Sequence, residues 1–587
     1  MADAKGAAMA KLLAIFLVLL SIGAVQAQRP QRPQQLKQLL KFQAERAEAT
    51  KKAEAERAAT EAAKKAELAK ASELAAQQKK LDAVASIAGG KQDAVALAKH
   101  IDRRIDGMLA EHKFAPSAIS GDAEFLRRVT LDITGVMPTY EKATAFLSDT
   151  SPEKRSKLLD ELLASTNYGR KQADIWLAKL FAKDSGNRFV QAQPFYEWIE
   201  KQFNANEPWD KFVSSIVTAT GKVEDHPEVT YFLANRSLDK LTDTTTQHFL
   251  GVRLGCAQCH DHPFTETKQS EYWAMAAFYS KVKADRPKNI QKGSDNNDIS
   301  VSEGTTATRA KDFIPEGAKQ VSAKYYGGAT PALNPKEPYR PDLANWMTSK
   351  TNPYFARAMV NRTWAQLFGR GFVDPVDDMI DTHTPSHPEL LAELAKHFAE
   401  TGFDIKYLHR AICLSNAYQR TSRPTEANRD DASYFSHQSV KQMSGTQLYD
   451  SMMLLKTPMA DTKASAKADA KADKTKRGPA NDRERFAVFY LGGAEETHPL
   501  DYEAGIPQAL KLMNAKSGPL NMLAKSWAIG VKPEAFLDKL YLALLARKPT
   551  DEERTRLLKY IRTAGPIDAP GDVLWAVMNS SEFKMVK

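Results

Sequence analysis

Apolar residues recur at helical spacing through most of the chain. In RSKLLDELLAS, Leu158, Leu159, Leu162 and Leu163 make one stripe; Ser151 before it suits an N-cap and Pro152 the first helical position. Asn352 and Pro353 open another helix, on which Phe355, Met359, Thr363 and Leu367 repeat every fourth residue until Gly369 and Gly371 stop it. Ser386 with Glu389, and Thr550 with Glu553, have the spacing of capping boxes. Further helices are expected over 122–132, 139–147, 168–183, 194–204, 208–219 and 239–253. Alternating β-branched runs are scarce, so the pattern predicts a mainly α fold. Two helical domains are expected, 94–282 and 336–587, joined by a polar linker, 283–335, rich in Asn, Asp, Gly and Ser.

Outside those domains the pattern changes. Lys5 and Lys11 flank or precede the apolar run LLAIFLVLLSIGAV, and Val25-Gln26-Ala27 supplies small residues where a signal peptidase reads. Residues 1–27 therefore read as a signal peptide, with export to the periplasm or cell envelope. A membrane attachment follows only if this segment stays uncleaved, and its largely apolar run of about 14 residues falls short of the roughly 20 that span a bilayer. Residues 28–90 are dominated by Ala, Lys, Glu and Gln, with few large apolar side chains. They read as a solvated helical arm or weak coiled coil that spaces the protein from a surface or meets a cell-envelope or redox partner. The Ala/Lys/Asp stretch 460–478 reads as a disordered insertion.

Charge sharpens this division. Segments 1–27, 28–81 and 461–477 carry +1, +6 and +3, which account for the whole net charge of +10. The remainder is close to neutral, which argues against a specific nucleic-acid groove.

Three cysteines in 587 residues are too few for a disulfide framework. Cys413, on the apolar face of LHRAICLSNAYQ, reads as a small buried hydrophobe. The other two lie in LGCAQCHDHPF. Cys256, Cys259 and His260 have the Cys-x-x-Cys-His spacing of covalent haem c attachment, in which two thiols hold the macrocycle and the histidine ligates iron. Met379, His383, His248 and His226 are available as a further ligand, and nothing in the sequence selects one. A second reading is zinc or iron without haem, for which Cys256, Cys259 and one or both of His260 and His262 are suitable ligands, with Asp261 supporting a ligand. A Cys256–Cys259 disulfide or dithiol is the third chemistry compatible with the spacing.

A second cluster, VDPVDDMIDTHTPSHPEL, holds Asp377, Asp378 and His383, residues able to bind a hard cation or to act as acid and base. Its Asp and Pro content also fits a plain loop. Arg127, Arg128 and Asp132 suggest ion pairs between helices, and Arg362 with Trp364 suggests helix packing plus an internal salt bridge. No GxxxxGK[ST], GxSxG or HExxH occurs, so nucleotide use, serine hydrolysis and zincin proteolysis lack support.

FLRRVTLDITGVMPT, FLGVRLGCAQCHDHPF, NPYFARAMVNRTWAQLFGRGFVDPVDDM and SHPELLAELAKHFAETGFDIKYLHRAICLSNAYQRT together resemble the planctomycete cytochrome-c-associated exported family. That family pairs domains of unknown function 1549 and 1553, and the likeness runs in order over about 98–587. The resemblance implies an exported protein, often joined to a separate cytochrome-c-like domain, with no activity generally assigned. Here the arm stands before the first domain. The reading that results is an exported redox or electron-transfer protein carrying haem or a metal at the CxxCH. The alternatives are a non-catalytic envelope scaffold with a zinc or disulfide staple and, more weakly, a metal-dependent hydrolase.

Overall fold

The computed structural model describes residues 93–181, 192–263, 265–285, 299–305, 321–380, 383–455, 483, 486, 518–565 and 568–587. The expected signal peptide, arm and 460–478 insertion lie outside these. The fold is mainly α: helices follow one another from Ala94–Glu111 to Ser581–Lys584, with a few strands of two to four residues. Gly221–Lys222, Ser300–Glu303 and Val282–Asp285 form one antiparallel sheet with Ser300–Glu303 in the middle. The stretch expected as a polar linker thus supplies a central strand, because Ile299 and Val301 bury their side chains. Among the described residues no helix is long and apolar enough to cross a membrane.

The expected stripes are buried. Leu158, Leu159, Leu162 and Leu163 face inward on the Lys154–Ala164 helix, as do Phe355, Met359, Thr363 and Leu367 on Phe355–Phe368. Cys413 is fully enclosed, and that burial pushes its thiol pKa upward. One apolar core takes side chains from both halves of the chain. At its centre, Trp176 and Trp209 lie 4.5 Å apart, and Phe355 stacks 6.2 Å from Trp209. A second cluster joins Leu131 and Met137 to the C-terminal helices.

Of the expected helix starts, some form their caps and others give the capping groups to different partners. Thr550 and Glu553 do form a capping box. Ser386 does not: its hydroxyl meets His387 Nδ1 at 3.0 Å, while Glu389 pairs with Arg104 at 2.6 Å, so a contact between distant helices takes the carboxylate the box required. The Lys154–Ala164 helix starts three residues after Ser151, whose hydroxyl is bonded to Glu153 instead. Asn352 does cap, its Oδ1 accepting from the backbone N–H groups of Tyr354 and Phe355.

The arginine pair is structural, with partners other than Asp132. Arg127 donates to the carbonyls of Leu544, Glu582, Phe583 and Met585. Arg128 pairs with Glu124 and donates to the carbonyls of Tyr418, Arg420 and Lys587. Asp132 accepts instead from Lys441 at 2.7 Å and from the Tyr418 hydroxyl at 2.9 Å. Arg127, Arg128, Asp132, Tyr418 and Lys441 are all buried, so these bonds spare buried polar groups from going unpaired.

Candidate functional site

The Leu238–Leu250 helix ends at Gly251, whose φ of 69° lies in the left-handed region. A side chain there would also collide, since a Cβ would lie 2.5 Å from the Met379 methyl. The chain then drives Leu254 into the core and enters a 3-10 turn, Gly255–Gln258. Ala257 is completely buried on the inner side of that turn. With it anchored, Cys256 and Cys259 both stand exposed with free thiols, and His260 is exposed beside them. The turn is fastened from below: the Gln258 carbonyl accepts from Trp273 Nε1 at 3.0 Å and from the Gln269 amide at 3.2 Å.

His260 is oriented by its neighbour. Its Nδ1 lies 2.7 Å from the Asp261 carbonyl oxygen, an atom that can only accept. The proton therefore belongs on Nδ1, leaving the Nε2 lone pair available, the arrangement that ligating imidazoles use. Asp261 is itself pinned. Its carboxylate accepts from the Gln269 backbone N–H at 3.0 Å and from Lys268 at 3.0 Å, and these two bonds lower its pKa.

Residues 100–284 match PSCyt2, protein of unknown function (DUF1549), and residues 339–561 match PSD1, protein of unknown function (DUF1553). The chain belongs to the paired DUF1549–DUF1553 family. No curated protein and no solved structure matches it.

The DUF1553 region reaches the CxxCH loop. Met379 donates its backbone N–H to the Gly251 carbonyl at 2.7 Å. The His262 backbone donates to the Thr267 carbonyl at 2.9 Å. Partial burial lowers the pKa of the His262 ring, while the Asp378 carboxylate acts on it in the opposite direction. Asp378 in turn accepts from His383, whose Nδ1 is 2.7 Å from its carbonyl and 3.6 Å from its carboxylate. His262, Asp378 and His383 are thus brought to one side of the molecule from positions more than a hundred residues apart.

Asp377 turns away from its neighbour. It is buried against Arg362, with Lys179 and His248 Nδ1 each at 3.4 Å. Burial alone would raise its pKa, but Arg362, His248 and Lys179 hold it well below the usual carboxylate range. The adjacent pair expected from sequence is therefore divided, one carboxylate locking the interior and the other facing the loop. His248, enclosed in the same network, is not presented to the surface.

The donor set favours some chemistries over others. Haem c attachment asks only for two thiols and one imidazole from a single turn, and those three are exposed with His260 Nε2 unengaged by that bond. Among the described residues, no three His, Cys, Asp or Glu side chains gather so as to hold a metal ion.

Sequence reasoning missed one residue. Asp243, on the Leu238–Leu250 helix, lies under the cysteine turn: its Oδ2 and Oδ1 would be 3.4 and 3.6 Å from a Cβ at Gly255. Its Oδ1 is buried with no hydrogen-bond partner among the described residues. Nothing in LDKLTDTTTQHFL distinguishes it from other polar positions of the helix. Only the return of the chain through Gly251 places it there.

Proposed function

We propose that this is an exported cell-envelope protein whose DUF1549 region carries a covalent c-type haem on Cys256 and Cys259 and serves in electron transfer. The observation that carries the reading is the disposition of the CxxCH turn, with two free exposed thiols and an imidazole held by the Asp261 carbonyl in the tautomer that leaves Nε2 open. When bound, the haem supplies a one-electron iron centre. The chain's own part is to hold and orient. Ala257 fixes the turn, Cys256 and Cys259 provide the covalent attachment, and Asp261 keeps the His260 ring from rotating. Residues Asp378, Met379 and His383 bring the DUF1553 region alongside.

The same geometry lends less support to a metal-dependent hydrolase, because Asp377 is already neutralised by buried cations. The test is a haem stain and visible spectrum of the denatured protein. It is expressed with its N-terminal segment in a host that matures c-type cytochromes, beside the Cys256→Ala/Cys259→Ala variant. A covalent Soret-absorbing band lost in the variant is the expected result. A colourless protein, under conditions that mature a known cytochrome, removes haem and leaves the scaffold reading, with zinc analysis as the next step.

A further inference from the structure

Asp132 and Lys441 meet inside the protein from positions 309 residues apart. Asp132 lies on the Asp122–Thr134 helix of the DUF1549 region and Lys441 on the short strand Lys441–Gln442 of the DUF1553 region. Their side chains are only 3% and 6% exposed, and Lys441 Nζ lies 2.7 Å from Asp132 Oδ1. A C–O bond adds about 1.2 Å, so the carboxyl carbon is within about 4 Å of the nitrogen, and a small turn of the carboxylate gives a near-attack pair.

The surroundings aim both groups. Lys441 Nζ also donates to the carbonyls of Gln366 at 3.0 Å and Leu367 at 2.7 Å. An ammonium has three N–H bonds, and those two carbonyls hold two of them. When the third proton passes to Asp132, the lone pair it leaves behind points at the carboxyl group. The Tyr418 hydroxyl, on a fully buried ring, donates at 2.9 Å to the other oxygen, Asp132 Oδ2, where negative charge collects as an amine adds. Lys171 is placed differently: it donates to the Asp132 backbone carbonyl rather than to the carboxylate.

Enclosure favours the neutral reactants. An ammonium and a carboxylate held out of water repay their desolvation poorly, and an amine beside an acid escapes that penalty. Burial is the largest influence on Lys441 and draws its pKa below the ordinary lysine value. The charge of Arg128 adds to this, and Asp132 only partly offsets it.

We propose that Lys441 and Asp132 join in an intramolecular isopeptide bond, a covalent cross-link between the DUF1549 and DUF1553 regions that forms once the chain has folded. Lys441 gives one proton to Asp132 Oδ1, and its lone pair attacks Cγ, forming the Nζ–Cγ bond while Tyr418 steadies the charge on Oδ2. A second proton then moves from Nζ to Oδ1, the Cγ–Oδ1 bond breaks, and one water leaves. The three ammonium hydrogens are thus divided between the amide N–H and the water, nothing is oxidised or reduced, and no co-reactant is consumed. The chain from residue 132 to residue 441 becomes a closed ring that denaturant cannot open. The cross-link is independent of any group held at the CxxCH.

The experiment uses the full chain, purified folded and kept near neutral pH. Samples taken over several days are denatured, reduced and digested with trypsin, which does not cut at an acylated lysine. The expected product is one branched peptide joining residues 129–142 to residues 430–456, lighter than the sum of the two by one water. In a denaturing gel the cross-linked chain should also run ahead of Lys441→Arg. Tyr418→Phe should slow formation roughly tenfold or more. A folded wild-type chain that yields only separate peptides, cut after Lys441, overturns the proposal, and that reading needs no variant to fold. Equal cross-linking in a chain kept unfolded in urea also overturns it, since the folded geometry then plays no part. Equal rates in the folded Tyr418→Phe protein overturn the part given to Tyr418.

Discussion

His387 and His409 are enclosed so fully that neither carries a proton comfortably. His387 packs among Phe372 and Phe435, and His409 meets the edge of Tyr168 and bonds the Ile405 carbonyl at 3.0 Å. Burial pushes both pKa values down from 6.5 to about 4. Below pH 6.5 the unfolded chain therefore takes up protons that the folded one refuses, and stability falls with pH until the folded values are reached near 4. Each histidine contributes a slope of up to about 1.4 kcal/mol per pH unit in that window. Thermal unfolding followed by circular dichroism should show the melting temperature falling steeply from pH 6.5 to 4, and His387→Gln should flatten the fall. An unchanged slope in that variant would show that other groups set the acid limit. The sequence marked Ser386-His387-Pro388-Glu389 only as a helix start. What encloses the ring comes from residues 372 and 435, which periodicity does not bring together.

Elements were more legible than residues, because helix formation depends on spacing that can be counted. The Leu158 stripe and the Phe355 to Leu367 repeat survive intact, since each needs only a core to face. Caps were legible only where no distant partner competed. Thr550 and Glu553 sit at an exposed helix start and form their box, whereas Glu389 was drawn away by Arg104. Thr550→Ala should cost about 1 kcal/mol in urea unfolding, the usual worth of an N-cap side chain. Ser386→Ala should cost less than half as much, since its hydroxyl meets one ring nitrogen rather than a helix N–H. A larger loss at Ser386 than at Thr550 would contradict this ranking of the two helix starts. At the candidate site, the CxxCH and the acidic loop were each visible in the sequence. Their meeting was not, since it depends on Met379 reaching Gly251 across the core.

At the scale of the molecule, the DUF1549 and DUF1553 regions share their packing. Trp209 and Phe355 stack in one cluster, and Lys441 neutralises Asp132 in its interior. The described regions should therefore unfold together, as a single calorimetric transition whose van't Hoff and calorimetric enthalpies agree. Two separable transitions would show that the shared core is weaker than the core of either region. Arg127→Met should be among the most damaging substitutions, costing several kcal/mol, because it takes the guanidinium from the buried carbonyls of Leu544 and Phe583 and from the part-buried carbonyls of Glu582 and Met585. A loss below about 1 kcal/mol would mean that water replaces the guanidinium there. The clasp also imposes an order in time. Arg127 waits for carbonyls that lie up to 458 residues downstream, and at ordinary rates of synthesis those residues follow it from the ribosome by roughly 20 to 90 seconds. Throughout that interval water solvates the guanidinium, and the inner face of the Asp122–Thr134 helix takes its final partners only once the C-terminal residues have been made.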